Sequence, residues 1–135
     1  MDDPFIDSWE QLKPIAGNFP PAAFSFVVSG LAHTVRAIHG DTVAEDIEAN
    51  ETVSDDESRH VSGKQLCLGL KDYAIRRYGR LARTVLRRWN IAETDDFGRI
   101  VFTMIEAKQL RKTANDRFED FCGVFDFDEA FGDRV

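Results

Sequence analysis

The stretch SGKQLCLGLKDYAIRRYGRLARTVLRRWNIAETDDFGRIVFTMIE, residues 62–106, decides the architecture. Ser62 and Gln65 have the spacing of a capping box, in which the hydroxyl accepts the third residue's N–H and the amide side chain reaches back. A helix is expected from there through Tyr78, with Leu66, Leu70, Tyr73 and Ala74 turned inward. Gly79 interrupts or caps it, because glycine enters the left-handed region without a Cβ penalty. Leu81, Ala82, Val85, Leu86 and Trp89 then continue an apolar face to Asn90. Thr94 is the next expected N-cap, with Asp95 and Asp96 in the first turn, where the helix dipole favours anions. Phe97, Ile100, Val101, Met104 and Ile105 make the buried side of that helix.

Working outward toward the C-terminus, the period changes past Lys108. Residues 109–113 and 118–125 flank the turn formers Ala114, Asn115, Asp116 and Arg117, which is the pattern of a β-hairpin. Helix, helix and hairpin is the order of a winged helix-turn-helix, with residues 81–90 as supporting helix, 95–107 as recognition helix and 109–125 as wing. The expected class is therefore α+β, mainly α: a winged-helix-like helical domain with a C-terminal β-hairpin.

Working outward toward the N-terminus, Pro20 and Pro21 open a helix whose stripe of Phe24, Val27, Val28, Leu31, Val35 and Ile38 is stopped by Gly40. Asp3 and Pro4 are an N-cap and first-turn pair for a short helix with Phe5, Trp9 and Leu12 on one side, ending before Pro14. Residues 41–58 hold eight carboxylates and no basic residue, with only Val43, Ile47 and Val53 as sizeable apolar groups. So little burial cannot offset the ordering entropy, and an acidic mobile loop is expected. The chain reads as a single domain, 1–135. An N-terminal helix and linker occupy 1–19, a helix 20–40, the acidic loop 41–58, and a core of helices plus hairpin 59–131.

Charge is sorted along the chain. Residues 1–60 carry 12 acidic and 3 basic side chains, residues 61–112 carry 5 and 12, and residues 113–135 carry 7 and 2. The blocks of −9, +7 and −5 make the net −7. A cationic middle between anionic ends either folds its charges together or offers the middle to an anionic partner. The second use is opposed at long range by the net negative charge.

Within the middle block, Arg76, Arg80, Arg83 and Arg87 are spaced four, three and four, so an unbroken helix would align four guanidinium groups. This strip is the candidate anion site, extended by Arg77, Arg88 and Lys71; arginine's forked donors suit phosphate. The plainer reading is a solvated face neutralised by the protein's own acidic ends. Gly79 weakens the strip by dividing it. Major-groove reading by residues 95–107 is opposed by Asp95 and Asp96, with Asp116, Glu119 and Asp120 on the wing.

Catalytic patterns are missing. His33 and His39, six apart, sit about 240° around a helix and share no zinc face. His60, before the Ser62 cap, suits a backbone or carboxylate bond better than a metal. Cys67 and Cys122 have no CxxC partner and read as small core hydrophobes, and the glycines are scattered singly rather than grouped in a phosphate loop. The tail aromatics Phe118, Phe121, Phe125, Phe127 and Phe131 are expected to close the core, with the neighbouring carboxylates available to the arginines. No catalytic residue, cofactor or metal is expected.

Several strings taken together resemble a known family: Phe24-Ser25-Phe26-Val27, Arg59-His60-Val61-Ser62-Gly63, Tyr78-Gly79, Asp96-Phe97-Gly98, Lys112-Thr113, Glu119-Asp120-Phe121 and Phe125-Asp126-Phe127. The resemblance is to conserved bacterial proteins of planctomycete and verrucomicrobial type, and spans residues 20–131. It implies no particular activity. The chain departs from that pattern at Phe125 and Asn90, where a tyrosine and a glycine are expected, and in the elaborated 41–58 segment.

Two thiols, an acidic start and no apparent segment of about 18 apolar residues point to the cytoplasm and away from a membrane. The expected role is a non-enzymatic protein-interaction or structural module, as a homodimer or with a protein partner. The alternative is weak nucleic-acid binding through the arginines of residues 76–88.

Overall fold

The computed structural model describes residues 9–40, 61–110 and 117–132. Its elements in order are α1 (9–12), α2 (Pro21–His39), α3 (Gly63–Tyr78), α4 (Ala82–Arg88), α5 (Thr94–Glu106) and α6 (Phe127–Phe131). Short 3₁₀ turns lie at Lys13–Ile15, Gly79–Leu81 and Phe118–Phe121. Asp3, Pro4, the acidic segment 41–58, His60 and the centre of the expected hairpin at 111–116 lie outside the described residues.

The helix signals in the middle of the chain act as read. Gln65 N–H donates to Ser62 Oγ at 3.1 Å and Ser62 N–H donates to Gln65 Oε1 at 2.9 Å, so α3 opens on a reciprocal cap. It ends at Gly79, whose φ is +53°. Pro21 occupies the first turn of α2, and Gly40, at φ +109°, closes it with a bond to the Arg36 carbonyl. Asn90, standing where a glycine is expected, takes φ +65°. There the Ile91 N–H reaches back to the Leu86 carbonyl at 2.9 Å, and the Asn90 amide donates to the Asn18 carbonyl at 2.6 Å. A short polar side chain tolerates the left-handed region, so the sharp stop after α4 survives the missing glycine.

The central packing is α2 against α3, antiparallel. A Cβ on Gly69 would lie 1.9 Å from Thr34 Oγ1, and one on Gly30 would lie 2.2 Å from Leu70 Cδ2. The two helices interlock through these notches at a separation that larger residues forbid. Thr34 is buried, and its hydroxyl donates to the Gly30 carbonyl at 2.7 Å. Around the pair the core gathers Leu12, Phe24, Val27, Leu66, Leu70, Leu86, Ile91, Phe97 and Ile100, all buried. Each large side chain contributes about 1.5–3 kcal/mol on leaving water. Two assignments to the apolar faces fail: Ile38 is 42% exposed and Leu81 is 63% exposed.

α2 is long and apolar enough to cross a membrane, with a mean hydropathy of 1.2 over its best window. That corrects the expectation that no segment approaches such a span. In this fold the helix buries Ala23, Phe24, Phe26, Val27, Ala32 and Val35 inside the domain.

The expected α+β class is overturned. Among the described residues 76% are helical and none is in a strand, so the C-terminal β-hairpin and the winged-helix arrangement are absent there. Phe118 and Phe121 show why. Three residues apart, they would point to opposite faces of a strand, whereas a helical turn brings both toward the core. Phe121 is buried with its Cβ against Gly98 and its ring against Gly63, and Phe118 reaches Phe102 with ring centres 6.2 Å apart. Downstream, the Asp126 carboxylate accepts the N–H groups of Asp128 and Glu129 at 2.8 and 3.2 Å, an N-cap that starts α6. Phe127 and Phe131 then pack edge to face at 5.1 Å and are buried. The tail closes the core as expected, in helical rather than extended form.

Nor is α5 an exposed recognition helix. Phe97, Gly98, Ile100, Val101 and Met104 are buried, and its carboxylates are engaged at its N-terminus. Glu93 holds the N-cap position in place of Thr94; Thr94 is buried, and its hydroxyl accepts the Val124 N–H at 3.1 Å. Asp96 accepts from Ala92 and Glu93, and Asp95 accepts the Gly123 N–H at 3.1 Å.

Replacing Gly69 by alanine forces its Cβ into Thr34 and is expected to destabilise the fold by about 1–3 kcal/mol, read as a lowered midpoint in chemical denaturation. A midpoint equal to wild type would show that the α2 to α3 interlock is not tight.

Candidate functional site

The four arginines of the candidate strip do not form one row. α3 ends at Gly79 and α4 starts at Ala82, and the intervening 3₁₀ turn breaks the register that a continuous helix would keep. Arg76 stays with α3 and donates Nε to Asp72 Oδ2 at 2.8 Å. The same oxygen lies 2.8 Å from His33 Nε2 of α2. Asp72 is thus the centre of a polar clamp across the α2 to α3 seam, and its carboxyl is held below the usual range, first by the His33 bond and then by Arg76.

Arg83 is drawn inward. Its Nη2 meets Asp128 Oδ1 at 3.0 Å and its guanidinium lies 5.6 Å from the centre of the Phe127 ring, so it ties α4 to α6. Only 24% of its side chain is exposed, and its Nε is buried without a hydrogen-bond partner. These contacts mark Arg83 as a packing residue. The other two, Arg80 and Arg87, are exposed and pair with no carboxylate among the described residues. Of the strip, then, Arg76 is neutralised within its own helix, Arg83 by the acidic tail, and Arg80 and Arg87 by no carboxylate among the described residues.

Arg77 and Arg88 join the bare group. Both are exposed and neither has a carboxylate partner among the described residues, so Arg77, Arg80, Arg87 and Arg88 present cations around the α3 to α4 elbow. Arg77 hydrogen-bonds Tyr78, which pushes its pKa up and keeps it cationic. Its guanidinium sits 5.9 Å from the centre of that ring. Lys71 is directed elsewhere, over the Phe125 ring at 5.6 Å.

Beside Arg77 lies an open groove of about 180 Å³. α2 supplies Ala22, Ser25, Phe26 and Ser29; α3 supplies Tyr73, Arg77 and Tyr78; Trp89 closes it after α4. Phe26 is its floor, 5.5 Å from Tyr73 and 5.4 Å from Trp89 between ring centres, and Tyr78 meets Trp89 edge on at 6.0 Å. Tyr73, Tyr78 and Trp89 are each only partly buried, so ring surface remains accessible. Sequence periodicity assigned these three rings to the core stripe, and the groove went unseen. The available signal was Arg77-Tyr78 followed by Arg87-Arg88-Trp89, two cation and ring pairs on either side of a helix break.

The other candidates do not assemble into chemistry. His33 is committed to Asp72, and among the described residues no three histidine, cysteine or acidic side chains gather as a metal site. Cys67 is buried, and its thiol is pushed up to about 12 by burial, with Asp95 and Cys122 adding to the effect. Cys122 is exposed at the end of a 3₁₀ turn rather than buried in a strand. Its pKa is also raised, by partial desolvation and then by the Asp95 carboxylate. A thiol that keeps its proton is a poor nucleophile.

Two outcomes are expected. Because Asp72 titrates below its ordinary 3.8, its stabilising contribution is complete above that value and is lost as pH falls through the lower folded value. Asp72→Asn should therefore lose stability at neutral pH and flatten the thermal-stability profile between about pH 5 and about pH 2; an unchanged slope would refute the clamp. A thiol reagent at pH 8 should label Cys122 slowly and Cys67 only after denaturation, as mass spectrometry of the labelled peptides would show. Comparison with family models, with curated proteins and with solved structures gives no match, which leaves the arginine elbow and its aromatic groove as the features that speak for a function.

Proposed function

We propose that this domain is a non-enzymatic binding module, and that its working surface is the arginine elbow, engaged by the backbone of single-stranded nucleic acid. The observation that carries the reading is the set Arg77, Arg80, Arg87 and Arg88, exposed and without carboxylate partners among the described residues. Guanidinium groups donate fork-wise to phosphate oxygens, and adjoining ring surface suits unstacked bases better than the closed edge of a duplex. The net negative charge repels a polyanion at long range, so binding is weak and depends on local contact. A reducing cytoplasm suits the two unbonded cysteines and such a ligand.

The protein-interaction reading keeps one supporting observation. Leu68 and Ile75, seven apart on α3, are 45% and 40% exposed and share a helix face. A partner or a second copy could cover them.

Fluorescence polarisation with a labelled single strand should detect binding at low salt that falls steeply as salt rises. Arg87→Glu with Arg88→Glu should weaken it at least about tenfold and flatten the salt dependence by about 1.4 units of log–log slope, the share of two phosphate contacts. No binding to single-stranded RNA or DNA at low salt would remove this reading. A monomer–dimer equilibrium abolished by Leu68→Asp would favour the other.

A further inference from the structure

We propose that the groove between α2, α3 and Trp89 is a base pocket: it takes one unstacked base of a single strand, with Arg77 on the adjoining phosphate. This rests on the binding reading above and goes beyond it, since phosphate contacts alone need no pocket. The groove's floor is Phe26, 4% exposed, and its walls are the partly exposed rings of Tyr73, Tyr78 and Trp89. A volume of about 180 Å³ has room for one planar ring system. Ring faces inside such a groove attract another π-face and discriminate little between bases.

The groove also offers polar groups. Ser25 is exposed and Ser29 half-buried, so two hydroxyls on successive turns of α2 are placed to donate to or accept from a base edge. Arg77 stands at the opposite side on α3, and Arg88 directly precedes Trp89 in the chain. An apolar floor, hydroxyls on one margin and cations on the other match a nucleotide, whose base is flat and whose charge lies at one end. Charge complementarity chooses this occupant over a neutral aromatic peptide, because Arg77, though it bonds Tyr78, meets no carboxylate among the described residues, and neither does Arg88.

The test compares an oligothymidylate of about 12 nucleotides with an abasic strand of equal length, which has the same phosphates and no bases. The full chain is used with Trp9→Phe, so that Trp89 is the remaining tryptophan. The base-bearing strand should quench Trp89 fluorescence and bind about tenfold tighter than the abasic strand. Trp89→Leu should erase that preference while leaving the salt slope in place. Because Trp89 also packs on Phe26, a second variant guards against misfolding: Ser25→Trp, at an exposed position, should fill the groove and erase the preference without lowering thermal stability. Equal affinity for the two strands, with binding still lost on reversing Arg87 and Arg88, would overturn the pocket and spare the arginine reading. Binding of neither strand would overturn both. Quenching by an acidic aromatic peptide, with none by the oligonucleotide, would also overturn the pocket.

Discussion

Everything described depends on how closely α2 and α3 approach. Thr34 enters the space that a side chain on Gly69 would fill, and Leu70 does the same at Gly30, so the two axes are drawn together in a single antiparallel register. That register sets His33 opposite Asp72 and Phe26 opposite Tyr73. The first pair locks the seam at its polar edge, and the second forms the bottom of the groove. Slide one helix by a turn and both are lost together, because a close-packed contact has discrete alternatives rather than a continuum.

Where sequence reasoning succeeded, the signal was short-range and stereochemical. Ser62 with Gln65, Pro20 with Pro21, and the glycines at 40 and 79 act through bonds or dihedrals within a few residues, and their meaning survives folding. Where it fell short, the missing information was long-range. An aligned arginine row needs an unbroken helix, and Gly79 already marks the break; the 3₁₀ turn there separates Arg76 from Arg83, and each finds a carboxylate, Asp72 on its own helix and Asp128 from the tail. The second partner is 45 residues away in the chain, a pairing no spacing rule contains. The tail misled for a different reason. Aromatics at 118, 121 and 125, three and four apart, keep a helical period, but turn-forming residues before them point to a hairpin, although Asp126 already carries an N-cap signature for α6.

The distribution of charge is now concrete. Acid on α5 serves the backbone at its own N-terminus and the loop at Gly123, with Arg99 bridging Asp96 and Glu93. Acid on α6 reaches Arg83. Neither group reaches Arg77, Arg80, Arg87 or Arg88, so among the described residues part of the cationic block stays exposed beside half-buried rings. A domain can thus be anionic as a whole and locally cationic.

Phe121 carries a further consequence for biosynthesis. It wedges into the notch left by Gly63 and Gly98, two positions that belong to helices made well before it. Until Phe121 has left the ribosome, that cleft stands open and its apolar lining faces water, so the helices made before it cannot close this part of the interior by themselves. A nascent chain stalled short of Phe121 would expose a sticky seam that invites chaperones or aggregation.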